Sequence, residues 1–198
     1  MTERTEDKIL TKFRKAGRGS LFFIDDFVSL GQTKTVGKIL ERLVEKGEII
    51  RVARGIYSRP KHDAMLGTLR PSTEAIAKAI AKRDRARIIP TGAYALNALG
   101  LSTQVPLNVV YLTDGVARKI QIGKRKITFK KTTPKNLATI GEISGLVIQA
   151  LKEIGNGKVT PEEERKIVKI LKNEKKNRLE HDIRLAPEWI RKIIKRAL

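Results

Sequence analysis

The pattern of apolar and polar positions after residue 31 predicts a helix followed by a hairpin. Apolar residues recur at the spacing of one helical face, at Val36, Ile39, Leu40, Leu43 and Val44. Thr33 is expected to cap this helix at its start, and Gly47 is expected to follow its last turn. Residues 48–52 and 55–57 have the composition of two short strands, which predicts a hairpin directly after the helix.

The residues before this helix complete a small N-terminal domain. The predicted elements are a helix at residues 3–15, a strand at residues 21–24 and a short helix at residues 25–30. The order helix, strand, helix, turn, helix, hairpin is typical of a winged helix-turn-helix, which we predict for residues 1–60. Gly37 lies inside the long helix and costs about 1 kcal/mol relative to Ala. Either the backbone approaches a neighbour or ligand closely there, or Gly37 is a tolerated surface glycine.

The rest of the chain predicts a second domain. Two prolines and a glycine between residues 58 and 72 indicate a linker, which we place at residues 61–71. Beyond it, helices are predicted after Ser72, at residues 93–99, 143–154 and 160–171 and after Pro187, and strands at residues 86–89, 109–113, 118–122 and 126–131. Such a mixture is typical of an α+β fold. We therefore predict an α+β domain with a helical C-terminal extension at residues 72–198.

The charge of the chain favours a polyanionic partner. Its 198 residues include 42 Lys and Arg but 21 Asp and Glu, which gives a net charge of +21. Residues 61–133 are the most basic segment, with 14 basic and 4 acidic residues, and a winged helix at residues 1–60 does not account for them. Nucleic acid or an anionic membrane surface fits such a charge.

Several features argue for a cytoplasmic protein without a membrane partner. The sequence has no cysteine, its N-terminus (MTERTEDKIL) is polar, and no apolar run reaches the ~20 residues that a membrane helix needs. The last predicted helix, PEWIRKIIKRAL, has an apolar stripe beside four basic residues. That stripe fits an interfacial membrane helix or packing on the C-terminal domain, and we predict packing.

One face of the long N-terminal helix is suited to DNA. In a helix-turn-helix the N-terminal end of the second helix enters the major groove, where Gln pairs with adenine and Lys reaches guanine. The predicted DNA-binding residues are Gln32, Thr33, Lys34, Thr35, Lys38 and Arg42 on the helix and Arg51, Arg54 and Arg59 on or after the hairpin. Two alternatives stay open. In the first alternative the face is only solvated, as Glu41 and Glu45 suggest for its C-terminal half. In the second, the winged helix docks a protein.

Two stretches also resemble a known family. LERLVEKGEIIRVARGIY (residues 40–57) and TGAYALNALGLSTQVPLNVVYLTDG (residues 91–115) are similar to AbiEi-type antitoxins of type IV toxin–antitoxin systems, and the second stretch is the more specific. The resemblance covers roughly residues 3–132. It implies a winged helix that binds the operon's own promoter as an autorepressor. It also implies an antitoxin domain that counteracts a nucleotidyltransferase toxin, without requiring a stable complex. Residues 140–198 match no motif of that family.

The basic strands of the middle segment are the predicted antitoxin surface. Its residues are Arg118, Lys119, Lys124, Arg125, Lys126 and Lys130. The RNA substrate of the toxin, or an acidic face of the toxin, would dock there. One alternative is a sheet face that only confers solubility. Another is that the whole protein is an RNA-binding or protein-interaction module with this segment as its main surface.

No residue pattern indicates an enzyme, a metal site or a cofactor. His62 and His181 have no second His or Cys at ligand spacing. In GSLFFIDD (residues 19–26) the carboxylates are adjacent, whereas two-metal chemistry favours a D-x-D spacing on one strand face.

A nuclease reading is equally unsupported. Glu164-x-Lys166 and Glu174-x-Lys176 have the spacing of a nuclease motif but lack an upstream acidic partner. We interpret both as solvated helix faces, and Asp114 as a turn residue.

Overall fold

The structure, a computed structural model, describes residues 4–198 and has the predicted α+β fold. The chain divides into two compact units within one helix, where the first unit ends at Ala79 and the second begins at Ile80. The domain boundaries expected at residues 60 and 72 stay a prediction. The first residue of the helix predicted for residues 3–15 lies outside the described residues.

The first unit combines helices with a three-stranded sheet. Its elements are α1 (Thr5–Lys15), β1 (Leu21–Phe23), a 3-10 helix (Ile24–Leu30), α2 (Thr33–Glu45), β2 (Ile50–Ala53), β3 (Ile56–Ser58), β4 (Lys61–Asp63), β5 (Gly67–Leu69) and α3 (Thr73–Arg83), which continues into the second unit. The sheet has the strand order β1-β3-β2 and both pairings are antiparallel. The helices and strands predicted between residues 4 and 60 are therefore present, close to their predicted bounds.

An aromatic cluster and the apolar stripe of α2 form the core of the first unit. The ring centroids of Phe13 and Phe22 lie 4.3 Å apart, and those of Phe13 and Phe27 lie 5.2 Å apart. The buried residues of α2 are Val36, Ile39, Leu40 and Leu43. Burying each large apolar side chain contributes about 1.5–3 kcal/mol, so this stripe fixes which face of α2 remains in solvent.

The ends of α2 test two predictions. Gly47 follows the C-terminal cap Lys46 with a φ of 71°, which confirms its predicted place, because glycine adopts that left-handed conformation without strain. Thr33 as the N-terminal cap is wrong. The chain enters the helix one residue earlier, so that Gln32 occupies the cap position, and its side chain makes no capping hydrogen bond.

The segment predicted as a linker contains a second hairpin. Strands β4 and β5 pair in antiparallel register, with Asp63 opposite Gly67 next to the turn. The Asp63 carboxylate accepts hydrogen bonds from the backbone N–H groups of Met65 at 2.9 Å and Leu66 at 3.0 Å. Each strand has three residues and is almost wholly exposed, so no apolar alternation marks it in the sequence.

The second unit combines a four-stranded sheet with a group of helices. Its elements after α3 are β6 (Ile88–Thr91), α4 (Ala93–Ala98), β7 (Asn108–Thr113), β8 (Arg118–Ile122), β9 (Arg125–Lys131), a 3-10 helix (Pro134–Leu137), α5 (Glu142–Ile154), α6 (Pro161–Leu171), α7 (Lys176–Asp182), a 3-10 turn (Ile183–Leu185) and α8 (Glu188–Lys195). The strand order is β6-β7-β9-β8, in which β7 and β9 are parallel and the other pairs antiparallel. The predicted β8–β9 hairpin is present, and it places β9 between β7 and β8.

Helices α5 to α8 pack around a shared apolar core. Leu151 of α5, Ile167 and Leu171 of α6 and Ile190 and Ile194 of α8 are fully buried in it. The apolar stripe of the last helix therefore packs within its own unit, as predicted. No helix among residues 4–198 is long and apolar enough to cross a bilayer.

Two carboxylates hold the N-terminus of α5. Asp182, at the end of α7, is fully buried, and Glu174, just before α7, accepts from the backbone N–H of Ile143 at 2.9 Å. The donors to Asp182 are the backbone N–H groups of Ile140 and Gly141, each at 2.9 Å, and Ser144 Oγ at 2.5 Å. Carboxylates are favourable here because the first N–H groups of a helix have no partner within it. The interpretation of Glu174 as a solvated residue is wrong, since its side chain is 5% exposed.

Candidate nucleic-acid interface

Helix α2 presents an uncapped, acid-free end to solvent. The exposed residues there are Gln32, Thr33, Lys34, Thr35 and Lys38. The first bond within the helix runs from Val36 N–H to Gln32 O at 2.9 Å, so the N–H groups of residues 33–35 have no acceptor inside it. An anion is expected to bind favourably here, because free N–H groups, the positive end of the helix dipole and the charges of Lys34 and Lys38 come together.

The C-terminal half of the same face is partly neutralised. Arg42 lies 3.8 Å and Lys46 2.7 Å from the carboxylate of Glu6 on α1. The hydrogen bond from Lys46 holds the pKa of Glu6 below its ordinary value, with further lowering by the charge of Arg42. Glu41 and Glu45 are exposed beside them. Within residues 4–198, Arg42 is therefore the predicted helix residue that has an acidic partner, and the acid-free stretch of α2 ends near Lys38.

The β2–β3 turn and α2 both approach the side chain of Ile24. Arg54 and Gly55 form the turn, and Gly55 has a φ of 71°. A Cβ built on Gly55 would lie 3.8 Å from the side chain of Ile24, and one built on Gly37 of α2 would lie 4.0 Å from it. Both backbones thus flank one side chain, with Arg54 exposed at the tip and Arg51 exposed on β2.

Arg59 occupies a different place from the other predicted residues. It is half-buried, and its Nη1 donates to the backbone carbonyl of Arg14 at 2.8 Å and to that of Ala16. These carbonyls belong to the last turn and cap of α1, where carbonyl groups lack helical partners. Arg59 therefore caps the end of α1, and its guanidinium is engaged there rather than presented to DNA.

The second unit carries a separate basic surface on its sheet. Side chains alternate between the two faces of the sheet along β8 and β9. The register pairs Lys119 with Thr128 and Gln121 with Lys126, which places these four side chains on one face. The opposite face buries Ile127 and Phe129. The lysines on the first face are Lys119 and Lys130, which are exposed, and Lys126, which is half-buried. This face is open along β8 and β9, whereas at β6 it buries Ile89 next to α5.

The structure divides the predicted antitoxin surface into three groups. Arg118 lies on the opposite sheet face from the lysines, ion-paired with Asp84 and 5.7 Å from the centre of the Phe129 ring. Burial lowers the pKa of Arg118, with a smaller contribution from the charge of Arg83. Lys124 and Arg125 are exposed at the β8–β9 turn. Arg118 therefore joins α3 to the sheet and is not part of an open basic surface.

The residues considered for catalysis make structural contacts. His62 Nδ1 lies 3.1 Å from Thr68 Oγ1 across the β4–β5 hairpin, and His181 Nδ1 lies 2.8 Å from the buried Asp182. Lys166 donates to the carbonyl of Gly100 at 2.6 Å. No group of three potential metal ligands occurs in the part of the chain that the structure describes.

Residues 8–179 match DUF6088, a family of unknown function, and since this match covers most of the chain, the chain belongs to that family. No curated protein matches the chain. The family match continues through α5 and α6 into α7. Most of the helices of the second unit therefore lie within the matched residues.

Proposed function

We propose that this member of DUF6088 binds double-stranded DNA through a winged helix-turn-helix in its first unit and represses its own promoter. The observation that carries the proposal is the uncapped, acid-free N-terminus of α2, which is accompanied by an exposed Arg54 at the turn of the following hairpin. The order of elements and the β1-β3-β2 sheet support it, because they match the layout of winged helices.

In this arrangement α2 enters the major groove by its N-terminal end. Lys34 and Lys38 are placed to reach guanine edges or phosphates, and Gln32 to pair with adenine. The free N–H groups at the start of α2 suit a phosphate oxygen. Arg54 at the turn suits an adjacent minor groove, where the negative potential is strongest if the groove is narrow.

Gel shifts on the chain's own promoter and on random DNA test the proposal. Replacing Lys34, Thr35 and Lys38 together by Ala should reduce the ratio of specific to random binding, by about 1–3 kcal/mol per lost base contact. Glu45→Ala, on the exposed C-terminal half of the same helix, is the matched control and should keep the wild-type ratio. If the triple variant keeps that ratio as well, α2 does not read the sequence.

Arg54→Ala distinguishes a backbone contact from base reading. It should weaken binding to both DNAs and reduce the slope of log K against log[salt] by roughly 0.9 for one lost phosphate contact. An unchanged slope would argue against a phosphate contact at Arg54.

A second candidate function is the antitoxin role implied by the resemblance. The observation that favours a functional surface in the second unit is the open sheet face with Lys119, Lys126 and Lys130. A face with three lysines and polar neighbours suits an anionic backbone or an acidic protein surface. The nucleotidyltransferase toxin itself, or its RNA substrate, would be the partner.

Charge reversal of these three lysines to Glu tests this role in cells that express a neighbouring nucleotidyltransferase toxin. Loss of protection with intact promoter binding would support an antitoxin surface. In the matched control Lys169, Lys172 and Lys175, which lie in α6 or between α6 and α7, are replaced by Glu. This change should leave protection unchanged. If protection is unchanged in the sheet variant while binding to a structured RNA is lost, the alternative of an RNA-binding module is favoured.

A further inference from the structure

The β4–β5 hairpin presents two large apolar side chains to solvent. Met65 is 93% exposed and Leu66 is 76% exposed, the two highest values for large apolar residues in the described part of the chain. They are adjacent at the tip of a hairpin whose strands pair with each other and with no other strand. Neighbouring exposed apolar residues on a projecting element indicate a contact with another molecule.

The tip is held in a defined conformation. The backbone N–H groups of Met65 and Leu66 both donate to Asp63 Oδ1, and Gly67 has a φ of 70°, which few residues other than glycine adopt readily. Thr68 Oγ1 and His62 Nδ1 lie 3.1 Å apart across the strands. Met65 and Leu66 are therefore held at the tip before any partner binds, so binding loses little conformational entropy there.

The base of the hairpin is basic. Lys61 and Arg70 are exposed there, where the first strand begins and the second ends. A groove at the base is lined in part by Arg18 and by the ion pair of Arg14 and Glu48, whose N–O distance is 3.6 Å. The Asp63 carboxylate accepts hydrogen bonds within the turn. The charge at the base of the hairpin thus favours an anionic partner over a neutral apolar surface.

We propose that the β4–β5 hairpin is a DNA-binding arm, which inserts Met65 and Leu66 between base pairs in a minor groove of the promoter. This inference rests on the proposed DNA binding. Met and Leu are among the side chains that unstack base steps from the minor groove, and such insertion kinks the duplex by roughly 20–90°. Lys61 and Arg70 then contact the phosphates on the two sides of the groove.

Bending of promoter DNA by the full-length protein tests the arm. Energy transfer between dyes at the two ends of a promoter fragment measures the bend, and 2-aminopurine placed at successive steps locates unstacking. In Met65→Ser/Leu66→Ser the bend should disappear and the fluorescence increase at the unstacked step should be lost. Promoter affinity should fall on the order of tenfold, because the lost apolar burial is partly offset by the unstacking that is no longer needed.

Two further variants control for charge and for exposed apolar residues in general. Lys61→Gln/Arg70→Gln should lower the salt slope by roughly 0.9 per lost phosphate contact. Val105→Ser/Leu107→Ser removes two exposed apolar residues of the second unit and should leave the bend and the affinity unchanged. Circular dichroism checks that each variant is folded.

The outcomes separate this inference from the proposed function. If the wild-type chain binds its promoter without bending it, or if Met65→Ser/Leu66→Ser bends it equally, the arm is overturned while DNA binding stands. A wild-type chain that binds no duplex DNA overturns both. Sedimentation without DNA provides the last readout: a wild-type dimer that becomes monomeric in Met65→Ser/Leu66→Ser would assign the tip to a second copy and overturn the arm.

Discussion

Single glycines in this chain have opposite roles that only their surroundings reveal. Gly37 lies in the interior of α2 with room for a methyl group, since a Cβ there would lie 4.0 Å from the Ile24 side chain. Gly141 lies where a Cβ would lie 2.8 Å from Glu174 Oε2 and 3.0 Å from Asp182 Oδ2. Of the explanations that the sequence leaves open for Gly37, close approach of a neighbouring residue therefore has no support, whereas close approach of a ligand and a tolerated glycine both remain.

Gly37→Ala should stabilise the protein by about 1 kcal/mol, because alanine favours a helix interior and reduces the freedom of the unfolded chain. Urea unfolding measures this. Gly55→Ala is the control, since Gly55 faces the same Ile24 side chain but has a φ of 71°, and it should destabilise. A stabilised Gly37→Ala with weaker promoter binding would indicate that DNA approaches the backbone at Gly37, whereas equal affinity would leave a tolerated glycine.

Gly141→Ala should destabilise the protein by about 1–3 kcal/mol, because an added methyl group displaces the carboxylates that hold the start of α5. Thermal unfolding followed by circular dichroism gives the measurement. Gly17→Ala is the matched control, since its Cβ would lie 3.8 Å from Ser20 Oγ, an ordinary contact. Equal stability of Gly141→Ala and the wild type would show that Glu174 and Asp182 do not support α5 in this way.

At the scale of elements, polar pairs tie the ends of strands that the sequence separates. Asp114 follows β7, and its carboxylate accepts from the Nε and the backbone N–H of Arg87, which precedes β6, each at 2.8 Å. The prediction of Asp114 as a turn residue places it correctly after the strand but omits this partner. The two bonds join the adjacent ends of β6 and β7.

This pair should make stability depend on pH. The side-chain hydrogen bond from Arg87, followed by its backbone N–H, holds the pKa of Asp114 below its ordinary value of 3.8. Because this pKa is lower in the folded than in the unfolded chain, the ionised carboxylate stabilises the fold at pH values above the pKa of the unfolded chain. That stabilisation is lost as the pH falls through the lower pKa of the folded state. Asp114→Asn should therefore be less stable than the wild type at pH 7, and the difference should shrink below about pH 4.

Denaturant unfolding at several pH values measures that difference. Glu180→Gln, which removes an exposed carboxylate of α7, provides the matched change of charge. A gap between Asp114→Asn and the wild type that stays constant from neutral to acidic pH would contradict the assigned role.

At the scale of the whole molecule, each unit has its own apolar core. Fragments of residues 1–70 and 72–198 keep every strand and helix of the structure intact, including α3 with Ser72, whose hydroxyl accepts from Ala75 N–H. The first fragment should unfold cooperatively and keep the wild-type preference for promoter over random DNA. The second should be folded and show no such preference.

Circular dichroism and gel shifts on both fragments check this prediction. A first fragment that does not fold would show that its core needs α3. Promoter preference in the second fragment would move sequence reading away from α2.

Local pattern determined most of the elements. The apolar spacing in α2, the Thr160 capping box and the alternation in β8 and β9 all act between residues a few positions apart, and the corresponding elements are present. For the same reason the β4 and β5 strands were missed and the bounds of α7 were not assigned, since these elements are short or carry no clear apolar period.

Only the tertiary structure decided which charges remain available to a partner. The sequence places nine residues in the DNA interface and six in the basic surface without distinguishing among them. Arg59 binds the end of α1 and Arg118 binds Asp84, whereas Lys34 and Lys119 remain exposed. The partners of the first two lie tens of residues away along the chain. The availability of a side chain depends on such long-range contacts, which the spacing of neighbouring residues does not encode.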